Sequence, residues 1–209
     1  MDQTLIVTYL PSGESSKTRR LLQYFLDHLN GPYQVLDLLD CPPQFLTADR
    51  MQAFLKRNYG KQCLTPEEQA LVAGSDKYIR LLHEARNLVL AYPMHNFSMP
   101  AIIKCFFDAV IIKGETFDIL DGEYVGLLTG HRGLALSTSG GIYETTSEWA
   151  HFEHCFSLQE CLFKFMGYES GVVVPVQGCD ELSQEEVEAR FQVAFTHLLT
   201  IVHGWKEIA

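Results

Sequence analysis

Two kinds of stretch alternate along this chain, and the alternation narrows the possible folds more than any other feature. Short apolar runs stand at Thr4-Leu5-Ile6-Val7-Thr8-Tyr9, at Val35 to Leu39, at Leu88-Val89-Leu90-Ala91, at Leu134 to Thr138 and at Val172-Val173-Val174. Between them, apolar residues recur at helical spacing, as Leu21, Leu22, Phe25, Leu26 and Leu29 do. Unbroken apolar runs of this length suit strands buried on both faces. Strand, loop, helix and strand in that order make a βαβ unit, which crosses over right-handed. Five such strands alternating with five helices predict an α/β fold. Its core is a doubly wound five-stranded parallel sheet in the order 2-1-3-4-5, with helices on both faces.

The 209 residues suffice for one domain, spanning 1–209. Residues 41–64 carry Pro42, Pro43 and only a weak pattern, with possible helical turns from Met51 to Arg57, so they are read as an irregular insertion with a job such as a subunit contact. The first helix is expected from about Ser16 to Asn30, with Ser15 or Ser16 as its cap. Thr65-Pro66-Glu67-Glu68 and Ser183-Gln184-Glu185-Glu186 each have the residues of a capping box. Pro100 opens a helix expected to reach about Lys113; 114–130 reads as a loop, and Phe152 to Met166 as a helix.

Acids outnumber bases 26 to 16, for a net charge of -10, which disfavours a nucleic-acid partner or an anionic membrane surface. Any anion site must therefore be local. No apolar run approaches the ~18–20 residues of a membrane span, so no membrane insertion is expected. No secretory signal is read at the start of the chain. Six scattered cysteines without a CxxC pair read as reduced core thiols of a cytoplasmic protein.

Three loops fall at the carboxyl edge of the predicted sheet, where open α/β sheets bind their ligands. Residues 9–18 bring Ser12, Ser15, Ser16, Lys17 and Thr18 to a helix start, whose unpaired N–H groups favour an anion. There is neither a GxxxxGK[ST] phosphate loop nor a GxGxxG dinucleotide fingerprint. Simple helix capping by serine is the plainer alternative for this loop. Residues 92–100 are stiffened by Pro93 and Pro100 and offer Met94, His95, Asn96 and Phe97 in a row. Residues 138–143 hold Gly140 and Gly141, which either allow a flat ligand close to the backbone or serve a turn at positive φ. A phosphate site beside apolar and backbone contacts fits flavin mononucleotide, whose flat ring gains negative charge on its pyrimidine side when reduced.

Over essentially its whole length the chain resembles the FMN-dependent NAD(P)H quinone oxidoreductase and azoreductase family, of flavodoxin-like fold. The resemblance is strongest from Leu64 to Tyr143. It is carried by Leu64-Thr65-Pro66-Glu67-Glu68, by Pro93-Met94-His95-Asn96-Phe97, by the helix with Lys104, Phe106, Phe107 and Asp108, by Gly114-Glu115-Thr116-Phe117, and by Thr138-Ser139-Gly140-Gly141-Ile142. It implies phosphate contacts from Ser16, Lys17 and Thr18. It implies flavin-ring contacts from Met94, His95, Asn96, Phe97, Thr138, Ser139, Gly140 and Gly141. It also implies a substrate pocket at Phe117, Ile119, Leu162 and Phe163, a homodimer with some pocket residues from the second subunit, and a ping-pong cycle. In that cycle NADH or NADPH reduces the flavin and a quinone or azo compound reoxidises it.

The sequence departs from the family pattern at several places. Leu10 stands where a serine is common, with Ser12 a replacement; Lys17 replaces glutamine, His95 tyrosine, Ser139 arginine, and Ile119 an aromatic. No residue is fixed as catalytic, since the flavin carries the chemistry; His95 and Asn96 are the candidates, and His95 reads more plainly as a hydrogen-bonding loop residue than as a proton donor. His151 and His154 lie three apart on a predicted helix, beside Glu153 and Cys155, but no third ligand is placed, so no metal is expected. An electron carrier of flavodoxin type and a non-catalytic flavin- or quinone-sensing protein remain the competing classes. NADH oxidation with a soluble quinone separates the enzyme from both.

Overall fold

The apolar runs become one parallel sheet in a computed structural model that describes residues 3–206. In chain order the elements are β1 (Thr4–Thr8), α1 (Lys17–His28), β2 (Tyr33–Asp37), α2 (Ala48–Phe54), α3 (Pro66–Glu84), β3 (Asn87–Pro93) and α4 (Ala101–Val110). There follow β4 (Phe117–Leu120), β5 (Glu123–Gly126), β6 (Arg132–Thr138), α5 (Phe156–Met166), β7 (Ser170–Val176) and α6 (Gln184–Lys206). The sheet runs β2-β1-β3-β6-β7 with every neighbouring pair parallel, which is the expected order.

Strand alternation sends side chains to two cores. Leu5, Val7, Leu88, Leu90 and Tyr92 pack against α2, α3, α4 and α5, whereas Ile6, Val89, Ala91, Leu134 and Leu136 pack against α1 and α6. The central strands are buried on both faces, which is why they lack a polar alternation.

Both capping boxes form. The Thr65 hydroxyl accepts from Glu68 N–H while the Glu68 carboxylate accepts from Thr65 N–H, and Ser183 and Glu186 repeat the exchange. The possible helical turns of the insertion form, as α2 continuing into a π-helical turn at Leu55–Tyr59. Three expectations change. The 114–130 loop contains the antiparallel hairpin β4–β5, turned by Asp121 and Gly122 at φ 53° and 87°. Helix α5 starts at Phe156 and not Phe152, because the Glu153 carboxylate accepts hydrogen bonds from the N–H groups of Cys155, Phe156 and Ser157. Helix α4 ends at Val110, three residues short of the expected Lys113.

The hairpin is fastened at its far end. Gly126 and Gly167 meet backbone to backbone, Gly167 closes α5 at φ +88°, and a Cβ on either would clash with the other's main chain. Among the described residues no helix is long and apolar enough to cross a membrane. Of the cysteines, Cys105, Cys155 and Cys179 are buried, but Cys41, Cys63 and Cys161 are exposed, so only half fit a core role; all six are free thiols.

Candidate functional site

Strand order reverses at β1. Its successor β2 lies on one side of it and β3 on the other, so the loops leaving β1 and β3 diverge and open a crevice at the carboxyl edge. A cleft of about 280 Å³ occupies this crevice. Ser12, Ser15, Ser16, Lys17 and Thr18 line it from the first loop, Pro93 and Met94 from the second, and Thr138, Ser139 and Gly140 from the third. All three predicted loops therefore meet.

The first loop ends on Ser16, the N-cap of α1, whose hydroxyl accepts from Arg19 N–H at 3.2 Å. That bond satisfies one of the helix's orphan donors and leaves the first turn pointing N–H groups outward. The Thr18 hydroxyl is wholly buried and hydrogen-bonds the Thr138 hydroxyl at 2.7 Å, which pins the helix start to the end of β6. The Leu10 side chain is buried in the core, whereas Ser12 lines the cleft.

The second loop is a two-residue tip. His95 and Ser98 exchange backbone hydrogen bonds at 2.9 and 3.1 Å, and Asn96 and Phe97 between them take φ 46° and 69°. Left-handed backbone is tolerable for asparagine and costly for phenylalanine. The strain is held by neighbours: Met94 N–H donates to Thr138 O, His154 N–H to Phe97 O, and the Ser98 hydroxyl to His154 O. The Phe97 ring, 40% exposed, leans on Phe152 and Tyr143 with centroids 5.0 and 6.0 Å away. His151 sits in a 3₁₀ turn, Ala150–Phe152, and His154 in the connection before α5, so the two do not share a helix, and no metal-binding cluster occurs among the described residues.

In the third loop Gly140 and Gly141 do not take positive φ, so no turn demands glycine there. A Cβ on Gly140 would meet the carboxylate of Asp180, and one on Gly141 the ends of Tyr143 and Glu181; no backbone stands in the way. What the glycines leave is an open face. Among the described residues, the N–H groups of Asn96, Phe97, Gly140 and Gly141 have no acceptor. Of these four only Gly140 lines the cleft; Asn96, Phe97 and Gly141, like His95, stand outside its lining. The lining itself has two characters: hydroxyls, an ammonium and a helix start on one side, Gly140 with the apolar Pro93 and Met94 on the other. That donor set fits a phosphate joined to a flat ring.

A fourth loop was missed. Cys179 and Asp180, after β7, also line the cleft, and Lys17 Nζ donates to Cys179 O and to Asp180 Oδ1 at 3.2 Å. The signal was present in Gly178, a turn glycine at the carboxyl end of the last strand, on the same edge as the other three loops.

The expected pocket residues lie elsewhere in the chain. Phe117, on β4, packs on Phe165 and Tyr124 and lines a second, apolar cleft of about 230 Å³ beside Met51, Leu55 and Ile112. Ile119 is half-buried on the same strand, and half-buried Leu162 packs against the core. Phe163 has no exposed surface: its ring covers Gly133 and Gly171, where a Cβ would stand 2.5 and 2.9 Å from it. It fills the core instead of facing a pocket. Two buried groups, on β3 and just before α5, stay protonated. Burial, with Glu153 adding to it, pushes the Cys155 thiol up to about 12, and burial likewise raises the Tyr92 phenol, whose hydroxyl donates to Gln159 Oε1 at 2.8 Å. Cys155 is therefore a neutral thiol and no nucleophile.

A doubly wound sheet of this order, with its cleft at the strand-order reversal, defines a flavodoxin-like protein. The family model for the flavodoxin-like fold matches residues 2–200. An FMN-dependent NADH:quinone oxidoreductase of Haemophilus influenzae is 34% identical over 146 residues, covering 69% of this chain and 72% of its own. One from Bacillus cereus is 29% identical over 196 residues, covering 90% and 92%. The crystal structure of an FMN-dependent NADH-azoreductase from Bacillus anthracis in complex with FMN is similar with a TM-score of 0.86 at 27% identity, over 98% of this chain and 99% of that one. The chain belongs to this family of FMN-dependent NADH:quinone oxidoreductases and azoreductases, of flavodoxin-like fold.

Proposed function

We propose that the protein is an FMN-dependent oxidoreductase that uses NADH to reduce quinones or azo compounds. One observation carries this: the serine and lysine loop and the stretch Thr138-Ser139-Gly140, far apart in sequence, line a single cleft. Bound there, FMN would supply the hydride chemistry, accepting from the nicotinamide and passing on to the acceptor. The phosphate is assigned to the hydroxyls of Ser12, Ser15 and Ser16, to Lys17, and to the N–H groups that open α1. Thr18 contributes its backbone there, its hydroxyl being held by Thr138. The ring is assigned to Met94, His95, Asn96 and Phe97 on one edge and to Thr138, Ser139, Gly140 and Gly141 on the other. Their free N–H groups would stabilise negative charge on the ring without a charged residue. His95 holds the loop through its backbone, and its exposed imidazole is read as a ring contact.

The acceptor needs apolar walls that the cleft of one chain lacks. We assign them to Phe117, Ile119 and Leu162 of a second copy in a homodimer. The exposed side chains of Leu120 and Tyr124 on the same hairpin support that reading. Six free thiols support a reducing, cytoplasmic compartment. The test is acid release and chromatography of the flavin from purified protein, with NADH oxidation followed against a soluble quinone. FMN and rapid turnover are expected. FAD or no flavin would overturn the site, and FMN without NADH oxidation would leave an electron carrier.

A further inference from the structure

Among the described residues lining the cleft, Lys17 and Asp180 carry the only charges, and they are paired. Asp180 Oδ1 lies 3.2 Å from the Lys17 ammonium, and its Oδ2 lies 2.5 Å from where a Cβ on Gly140 would stand. The carboxylate therefore bridges both sides of the cleft, from the cation on one to the open glycine face on the other. It is the wrong sign for a site that takes a phosphate. A dianion at the start of α1 would meet a lysine already neutralised and an acid beside it. The geometry also lets the acid leave. Asp180 N–H is fixed to Gly140 O at 3.0 Å, but its side chain is 79% exposed, so rotation about its own bonds clears the cleft without moving the loop.

We infer that Asp180 is a built-in competitor for the cofactor phosphate: it pairs with Lys17 at the cleft, is displaced when the phosphate binds, and so sets how strongly the protein prefers FMN to the same flavin without phosphate. This rests on the FMN reading above. The competition acts on the phosphate contact, and so lowers FMN affinity while leaving riboflavin affinity nearly unchanged.

The experiment is titration of flavin-free protein with FMN and with riboflavin, read by flavin fluorescence, for wild type, Asp180→Asn and Asp180→Ala. Both variants are expected to bind FMN about tenfold more tightly, which corresponds to ~1.4 kcal/mol, and riboflavin within about twofold of wild type. The second variant guards against an asparagine that still accepts from Lys17. Unchanged or weaker FMN binding in both variants overturns the inference. Equal tightening for FMN and riboflavin overturns it too, because the carboxylate would then merely obstruct the ring at Gly140. If no form of the protein binds FMN, the site reading itself fails; if all bind FMN equally well, only the role of Asp180 does.

Discussion

At Asn96 and Phe97 two successive side chains occupy left-handed backbone, at φ 46° and 69°. Such conformations cost of order 1–3 kcal/mol each, and they persist where the surroundings over-determine them. Here the fasteners are the hydrogen bonds to His154 and Thr138. The geometry also dictates the right probe of Asn96: alanine would add left-handed strain to the loss of the amide, whereas glycine removes the amide alone. Asn96→Gly is expected to melt within a few degrees of wild type yet to slow stopped-flow reduction of the bound flavin by NADH at least tenfold. A donor aimed at developing charge is worth about 2.7–4 kcal/mol, so a wild-type rate would remove the Asn96 amide from the reaction. Arg50 poses a different problem. It is 4% exposed, its guanidinium donates to Gln44 and Ser75, its Nε has no partner among the described residues, and burial lowers its pKa. Neutral oxygens compensate a buried cation poorly. Arg50→Met should leave the urea midpoint of flavin-free protein unchanged or raise it, whereas Gln44→Ala, which strands a buried donor, should destabilise by about 1–3 kcal/mol. The opposite ranking would mean that the guanidinium itself stabilises the insertion.

Helices α1 and α6 lie together on one face of the sheet, and a bidentate pair straps them: Arg20 donates to both carboxylate oxygens of Glu188 at 2.7 Å while stacking 4.2 Å over Phe191. Hydrogen bonds from Arg20, then from Gln192, hold the Glu188 carboxyl at about 2. A carboxyl whose pKa falls on folding stabilises the fold above its unfolded value, near 4.3, and loses that contribution as pH drops toward the folded value. The stability gap between wild type and Glu188→Gln should therefore be level above about pH 5 and close between about pH 4 and 2; a gap that persists to pH 2 would assign it to packing. Elements of this size also show what the sequence could disclose. The capping boxes and the sheet order were legible because each rests on local chemistry: Thr65 and Glu68 satisfy each other within one turn, and unbroken apolar runs announce buried strands. The hairpin β4–β5 was hidden although Asp121-Gly122 stood in view, since its strands are four residues each and the exposed one, β5, has no buried face to give alternation. The short α2 showed only as possible helical turns from Met51 to Arg57, its bounds blurred by Pro42 and Pro43 upstream and by a π-helical turn that breaks the helical period. Of the cleft, the three loops were readable from position on the sheet edge; the Lys17 to Asp180 pair was not, because it joins residues far apart in the chain.

Taken whole, the molecule leaves an apolar region uncovered. Tyr59 from the insertion and Leu120 and Tyr124 from the hairpin are all more than half exposed, and the second cleft, lined by Met51, Leu55 and Phe117, runs between their elements. A chain of charge -10 has acids enough to make such a surface polar, yet these side chains stay apolar. Apolar patches of this kind on a folded protein mark contact with a partner. A second copy is the economical occupant, because a twofold interface needs only one self-complementary patch, and stable ones bury roughly 800 Å² on each partner. It would also solve the chemical shortage: the proposed FMN cleft of one chain has polar and backbone contacts but few apolar walls for a quinone, and the hairpin of a second copy would supply them, Phe117 among them. Sedimentation is expected to give a dimer. Leu120→Arg combined with Tyr124→Glu should yield a folded monomer, since both side chains are more than half exposed and the hairpin stays anchored where Gly126 meets Gly167. In that monomer FMN should bind more weakly and quinone reduction should fall at least tenfold. The phosphate end of the cleft, built within one chain, should still discriminate FMN from riboflavin. A monomer that kept full activity would show that each chain carries a complete site, and the apolar region would then need another partner.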